Sequence, residues 1–136
     1  MNRKIYICLN LLILNVIAFS QLENGVSKIY KTEDFIGKWK MAGYIYDASP
    51  QPLKKENQND FIDLSLNNTF TEIKSGKFDK GYWEYLPIGN MIMFYDPWKE
   101  GYQPMKVVKI NSLELQLLIT WQGGSSIIVF KKEQNK

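Results

Sequence analysis

Apolar and polar residues alternate with a period of two along most of the chain after residue 37. Ile62, Leu64 and Leu66, for example, alternate with Asp63 and Ser65. This pattern is typical of β-strands that bury one face and expose the other. It predicts strands at about residues 38–46, 60–66, 69–74, 81–86, 90–95, 104–110, 113–121 and 125–132.

The alternation also predicts which side chains face inward. They are Trp39, Met41 and Ile45 in the first predicted strand, and Leu113, Leu115, Leu117, Ile119 and Trp121 in the seventh. A single helical turn is expected before the first strand, where Thr32 precedes two acidic residues and Gly37 ends the turn. No later window has the length and period of a helix.

The connections between the predicted strands differ in length. Long links at 47–59, 75–80 and 96–103 alternate with tight turns at 67–68, 87–89 and 111–112. In an up-and-down meander, alternate connections lie at the same end, so the long links are expected at one rim. The sequence therefore predicts an all-β fold: a single antiparallel up-and-down β-barrel of about eight strands with a short N-terminal helical turn. Such a barrel holds side chains or one small ligand.

The first twenty residues have the features of an export signal. Arg3 and Lys4 precede an apolar stretch, and small residues end it at Ser20. We expect a signal peptide at 1–20, an N-terminal arm at 21–31, a barrel domain at 32–136, and a periplasmic or secreted product. The alternative, a membrane anchor, is less favoured because the apolar run is short and interrupted, so no stable membrane insertion is expected after cleavage.

Composition restricts the chemistry of the mature chain. Two of the 17 basic residues and none of the 14 acidic ones lie in the signal segment, so its removal lowers the net charge from +3 to +1. A nucleic-acid partner is not expected at that charge. The chain has no His, and its only Cys, Cys8, lies in the signal segment. Catalysis by a Ser-His-Asp or Cys-His site, a typical zinc site and a cofactor are therefore not expected.

The segment Gly37-Lys38-Trp39, at the head of the first strand, resembles the Gly-x-Trp signature of lipocalins, in the calycin superfamily. A second Gly-x-Trp, Gly81-Tyr82-Trp83, is similar to one in small secreted bacterial lipocalin-like domains. The resemblance implies a barrel that binds a small apolar molecule under a lid formed by residues 47–59. It also implies a basic residue from the last strand over Trp39, here Lys131 or Lys132, and we assign this role to Lys131.

The candidate ligand-binding residues are large side chains expected near the rim with the long links. They are Ile45, Trp83, Tyr85, Met93, Leu117, Ile119 and Trp121. They would line an apolar cavity, or alternatively fill the barrel as a solid core. Trp98 and Tyr102 lie in a polar link, where they would cap a ligand, contact a protein or glycan partner, or plug the mouth.

The function predicted from the sequence is therefore non-catalytic binding of a small, mainly apolar molecule. The alternative is a solid barrel that recognises a protein or a glycan through its rim loops.

Overall fold

The protein is an antiparallel β-barrel in a computed structural model that describes residues 28–98 and 100–134. The strands are β1 (Gly37–Tyr46), β2 (Ser49–Gln51), β3 (Phe61–Leu64), β4 (Thr69–Lys74), β5 (Lys77–Leu86), β6 (Met91–Asp96), β7 (Gly101–Ile110), β8 (Glu114–Trp121) and β9 (Gly124–Lys132). Two 3₁₀ turns, Thr32–Phe35 and Lys55–Asn57, complete the structure. The predicted all-β class is confirmed. The predicted signal peptide and residues 21–27 of the predicted arm lie outside the described residues.

The sheet closes because its first and last strands pair. Each strand from β3 to β9 pairs with its neighbour in sequence, and β1 pairs with both β3 and β9. Lys40 lies opposite Lys131 and Met41 lies opposite Phe130 across the closing pair. Eight strands form the barrel wall. The short strand β2 is additional and pairs antiparallel with the last three residues of β1. Closure pairs the strand edges, which would otherwise be exposed to other chains.

A β-bulge reverses the sides of β1 half-way along the strand. Trp39 and Met41 are buried inside the barrel, as predicted. The register against β9 then shifts between Met41 and Gly43. One extra residue moves every later side chain to the opposite face. Tyr44 consequently lies opposite the buried Ile128, whereas Ile45 lies opposite Ile127 on the outer face. The prediction that Ile45 points inward was wrong.

The first 3₁₀ turn seals one end of the barrel, which we term the closed end. Phe35 is fully buried there, and its ring centroid lies 4.7 Å from that of Tyr85 and 6.3 Å from that of Trp83. The indole Nε1 of Trp39 donates a hydrogen bond to the Phe35 carbonyl at 2.8 Å. Trp83 and Tyr85 are therefore packed in the core of the closed end, and the prediction that they line a rim pocket was wrong.

Two strands begin earlier than the sequence indicated, so the links at the opposite, open end are shorter than predicted. β4 and β5 are joined by Ser75 and Gly76 alone, with φ of 50° and 77°. Positive φ at both central residues defines a tight type I′ hairpin, whose twist matches that of the strands. β7 likewise begins at Gly101. Only the link at 47–60 is long, and it contains β2 and the second 3₁₀ turn.

Candidate ligand-binding cavity

The barrel contains a cavity of about 230 Å³ near the open end. Its lining is mainly apolar, and every barrel strand except β5 contributes apolar residues to it. These residues are Met41, Phe61, Ile62, Phe70, Ile73, Phe94, Met105, Leu117, Ile128 and Phe130. The space is slightly smaller than the roughly 300–1,000 Å³ of pockets for drug-sized ligands. It can therefore hold a compact apolar molecule.

One side of the cavity mouth is polar. Glu72 and Asp79 lie directly opposite each other on β4 and β5. Asp96 on β6 and Gln103 on β7 continue this polar lining around the barrel. The facing strands β1, β8 and β9 contribute only apolar side chains to the same cavity. Lys74, on the same face of β4 as Glu72, also belongs to this lining, so a molecule in this space would meet apolar groups along its body and both acceptors and a cationic donor at its outer end.

The second Gly-x-Trp shapes the floor of the cavity. Gly81 is buried on the inner face of β5, opposite Phe70. A Cβ at this position would lie 2.1 Å from the carbonyl oxygen of Tyr95 and 2.9 Å from Cε1 of the Phe70 ring. Only glycine leaves room for both groups. Phe70 can therefore lie across β5 and meet the edge of Phe94, at a centroid distance of 5.3 Å.

The link at 47–60 lies at the open end of the barrel and is fastened by the buried Asp60. One Asp60 carboxylate oxygen, Oδ1, accepts a hydrogen bond from the Ser75 N–H at 2.9 Å, and Oδ2 accepts one from Asn57 Nδ2 at 2.8 Å. Asn57 Nδ2 also donates to Ser75 Oγ at 3.1 Å. Burial, with the negative charges of Asp60 and then Glu56, raises the pKa of Tyr44 beneath this link. The link is therefore held to β3 and to the β4–β5 turn, and its role as a lid stays a prediction.

A cation lies over the tryptophan of the first Gly-x-Trp. Lys132 is opposite Trp39 across β1 and β9, and its Nζ lies 4.7 Å from the ring centroid. Gly37, with φ of 122°, makes room for this side chain, because a Cβ there would lie 2.9 Å from Lys132 Cε. Lys131 points to the outer face, where it forms an ion pair with Glu114. The assignment of the motif cation to Lys131 was therefore wrong, since alternation places its neighbour Lys132 inside.

The closed eight-strand barrel, with a helical turn leading into a Gly-x-Trp that a basic residue covers, defines the architecture. The fold is lipocalin-like. The structure is similar to that of a lipocalin-like protein from Bacteroides uniformis, at 20% sequence identity and a TM-score of 0.54. The match covers 74% of this chain and 99% of the other. No protein-family model and no curated protein matches the sequence.

In this lipocalin-like barrel, two of the predicted binding residues line the cavity. Leu117 belongs to its apolar wall and Tyr102 borders its mouth. Ile119 faces inward beside the cavity, where it is half-buried and packs against the hydrophobic core. Trp121 lies at the end of β8, half-exposed and packed against Gly124. The inward side predicted for β8 is therefore correct, although its last residue lies beyond the cavity.

Met93 and Trp98 lie outside the cavity, and Tyr102 only borders its mouth. Met93 lies opposite Glu84 and Pro104 on the outer face of β6, because Ile92 and Phe94 take the inner one. Trp98 is 81% exposed in the link between β6 and β7. Tyr102 is 69% exposed, and its ring lies 4.8 Å from that of Tyr95 on the outer face. Neither ring folds back to plug the mouth.

Several cavity residues were not predicted as site residues. They are the apolar Phe70, Phe94 and Ile128 and the polar Glu72, Asp79 and Asp96. The signal was present in the spacing, since Phe70 and Glu72, like Phe94 and Asp96, are two residues apart and share a face. Among the described residues, no group of three or more His, Cys, Asp or Glu side chains is arranged to hold a metal ion. No helix in the described part of the chain is long and apolar enough to cross a bilayer.

Proposed function

We propose that this domain binds a small, mainly apolar molecule in the cavity of its barrel, without catalysis. The observation that carries this proposal is the distribution of packing. The closed end is filled by Phe35 and the aromatic residues around it, whereas a space of about 230 Å³ is left at the open end. Protein interiors are normally packed without voids much larger than a water molecule. An apolar space of this size is therefore better explained as a binding site than as core.

The lining indicates an amphipathic ligand. The deep wall, with Leu117, Ile128 and Phe130, offers only apolar contact. The mouth offers carboxylate and amide oxygens on one side, from Glu72 and Gln103 among others. A compact molecule with an apolar body and one polar end fits both regions.

The absence of catalysis is supported by the chain's chemistry. The sequence has no His, so a histidine general base is not available. Lipocalin-like barrels are generally not catalysts. The inward carboxylates lie at the mouth, where they suit the polar end of a ligand.

Uptake of a neutral apolar fluorophore tests the proposal directly. 1-Aminoanthracene is small and gains fluorescence when it leaves water, and we expect one molecule to bind per folded domain. Leu117→Phe places a larger side chain in the cavity and should abolish uptake. Leu113→Phe adds the same volume at an exposed position just before β8 and should leave uptake unchanged. Saturable binding that Leu117→Phe does not reduce would place the probe elsewhere and refute the proposal.

A second candidate function is recognition of a glycan or protein through the open rim. The observation that favours it is the exposure of two aromatic side chains at this rim, Trp98 and Tyr102. Aromatic side chains are concentrated in recognition surfaces. If this function is correct, titration with soluble oligosaccharides should shift Trp emission in the native protein and not in Trp98→Ala. Unchanged emission in the native protein would exclude the glycan form of this candidate.

We also propose that the domain acts after export, because residues 1–20 have the pattern of a cleaved signal peptide. The mature protein would then begin at Gln21. Intact-mass measurement of the protein recovered outside the cytoplasm checks this. A mass that includes Arg3 and Lys4 would contradict it.

A further inference from the structure

The wall of the barrel is split between β7 and β8 at the open end. Their pairing runs from Ile110 opposite Leu115 to Lys106 opposite Leu118 and stops there. β7 continues outward over residues 101–105, paired only with β6. β8 continues over residues 119–121, paired only with β9. Two neighbouring strands of a closed barrel therefore separate over their last residues.

The sequence of β7 explains the separation. Pro104 has no backbone N–H and is normally confined to strand edges and bulges. The register between β7 and β8 also shifts between Val107 and Lys109, next to the last paired residues. Such a bulge bends its strand and increases the local twist. Both features direct the outer part of β7 towards β6 and away from β8.

A cleft on the outer surface follows this split. It is lined by residues of both strands, including Pro104, Thr120 and Trp121. Tyr102 and Gln103 line this cleft and also line the inner cavity. Gln103 lies opposite the inward Phe94 and is nevertheless exposed. An inner-face residue can be exposed in this way because no paired strand covers it.

The lid is fastened on the opposite side of the barrel. Its anchors are Asp60, directly before β3, and Ser75, in the turn after β4. In the order of the barrel strands, the β3–β4 pair lies across from the β7–β8 pair. The side with the split wall is therefore the side farthest from the lid's buried hydrogen bonds.

We infer that the split between β7 and β8 is the passage by which an apolar molecule moves between solvent and the cavity. Met105 and Ile119 flank the passage on its inner face, and both are half-buried apolar side chains packed against the core. They form an apolar gate whose opening needs a side-chain movement only. The inference rests on the proposed binding function and adds a route to it.

A disulfide across the split tests this inference. Extending the register places position 104 opposite position 120, both on the outer face. Pro104→Cys with Thr120→Cys, oxidised by oxidised glutathione, would close the split without filling the cavity. The matched control is Thr120→Cys with Ser125→Cys, which joins β8 to β9 at an existing pair. Cys8 is replaced by Ser in every variant, so that no other thiol competes.

Stopped-flow uptake of 1-aminoanthracene gives the result. We expect uptake by the closed form to slow by at least about tenfold, because the disulfide blocks the gating movement, and dithiothreitol to restore the rate. The control disulfide should leave the rate unchanged in either redox state. An unchanged rate in the closed form, with the disulfide shown by mass spectrometry, would overturn the inference. Absence of uptake by the native barrel would instead refute the proposed binding function.

A second variant decides the matter if the two cysteines do not join. Ile119→Ala removes one side of the gate, and it should raise the association and dissociation rates by a similar factor. Ile88→Ala is the control, since it removes the same atoms from an exposed residue in the β5–β6 turn at the closed end. Rates in Ile119→Ala equal to those of the native protein would overturn the inference without any disulfide.

Discussion

Replacing Phe35 with alanine should lower the free energy of unfolding by about 3–5 kcal/mol, the usual cost of removing a buried phenyl ring. Phe35 is fully buried, and its ring contacts those of Tyr30, Trp83 and Tyr85. Aromatic pairs of this kind contribute about 0.5–1.5 kcal/mol beyond their buried area. Phe35 lies in the 3₁₀ turn before β1. The decrease in the free energy of unfolding therefore measures how much this turn contributes to the stability of the core.

Urea unfolding, followed by Trp emission and by circular dichroism, measures the effect. With a slope of about 1.5 kcal/mol per molar urea, a loss of 4 kcal/mol moves the midpoint by about 2.7 M. A small domain has only about 5–15 kcal/mol of stability, so Phe35→Leu provides a milder variant that stays folded.

The matched control is Phe78→Ala, because Phe78 is exposed on β5 and its removal leaves no cavity. Its unfolding midpoint should change little. A decrease in the free energy of unfolding below about 1 kcal/mol for Phe35→Ala would show that the 3₁₀ turn contributes little to the core. It would refute the description of a sealed closed end.

Three further predictions concern single contacts. Gly81→Ala should lower the free energy of unfolding in urea by about 1–3 kcal/mol, because its Cβ would overlap the Tyr95 carbonyl. Gly124→Ala should lower it less, and equal losses for the two variants would contradict this explanation. Hydrogen bonds from Lys131 and then Lys109 lower the pKa of Glu114 to about 2, so the stability from this partly buried group is present above the unfolded pKa of 4.5 and is lost as the pH falls towards 2. Glu114→Gln should flatten that part of the pH–stability curve, and an unchanged curve would argue against the ion pairs. Lys132→Gln should alter the near-ultraviolet dichroism of Trp39 and Lys131→Gln should not, since only Lys132 lies over the ring.

The barrel itself could be predicted from the sequence because its signal is repeated in every strand. Alternation around Ile62 and Leu117 fixes a buried face, and each further strand with the same period supports the same fold. The Gly-x-Trp at Gly37 also placed the closed end correctly. Trp39 is buried there, under the carbonyl of Phe35.

The errors arose where one residue changes the side on which a strand presents its side chains. The bulge after Met41 was missed, although Gly43 inside the strand is a signal for one, so Ile45 was placed inside when Tyr44 takes that position. The early start of β5 was missed because Lys77 and Asp79 are polar, although the Ser75–Gly76 turn fixes their pairing. The polar side of the cavity was missed for the same reason. Inward carboxylates do not follow the rule that identifies a buried face.

The pairing of β1 with β9 has a consequence for how the chain reaches its native state. Lys40 and Lys131 are neighbours in space but lie at nearly opposite ends of the domain in sequence. Contacts of such long range are formed late, because the entropy of a large loop must be lost first. A polypeptide that ends before Gly124 would lack β9, so one edge of β1 and one edge of β8 would stay unpaired and exposed to other chains. The barrel therefore cannot close until its last strand, the nine-residue β9, is available.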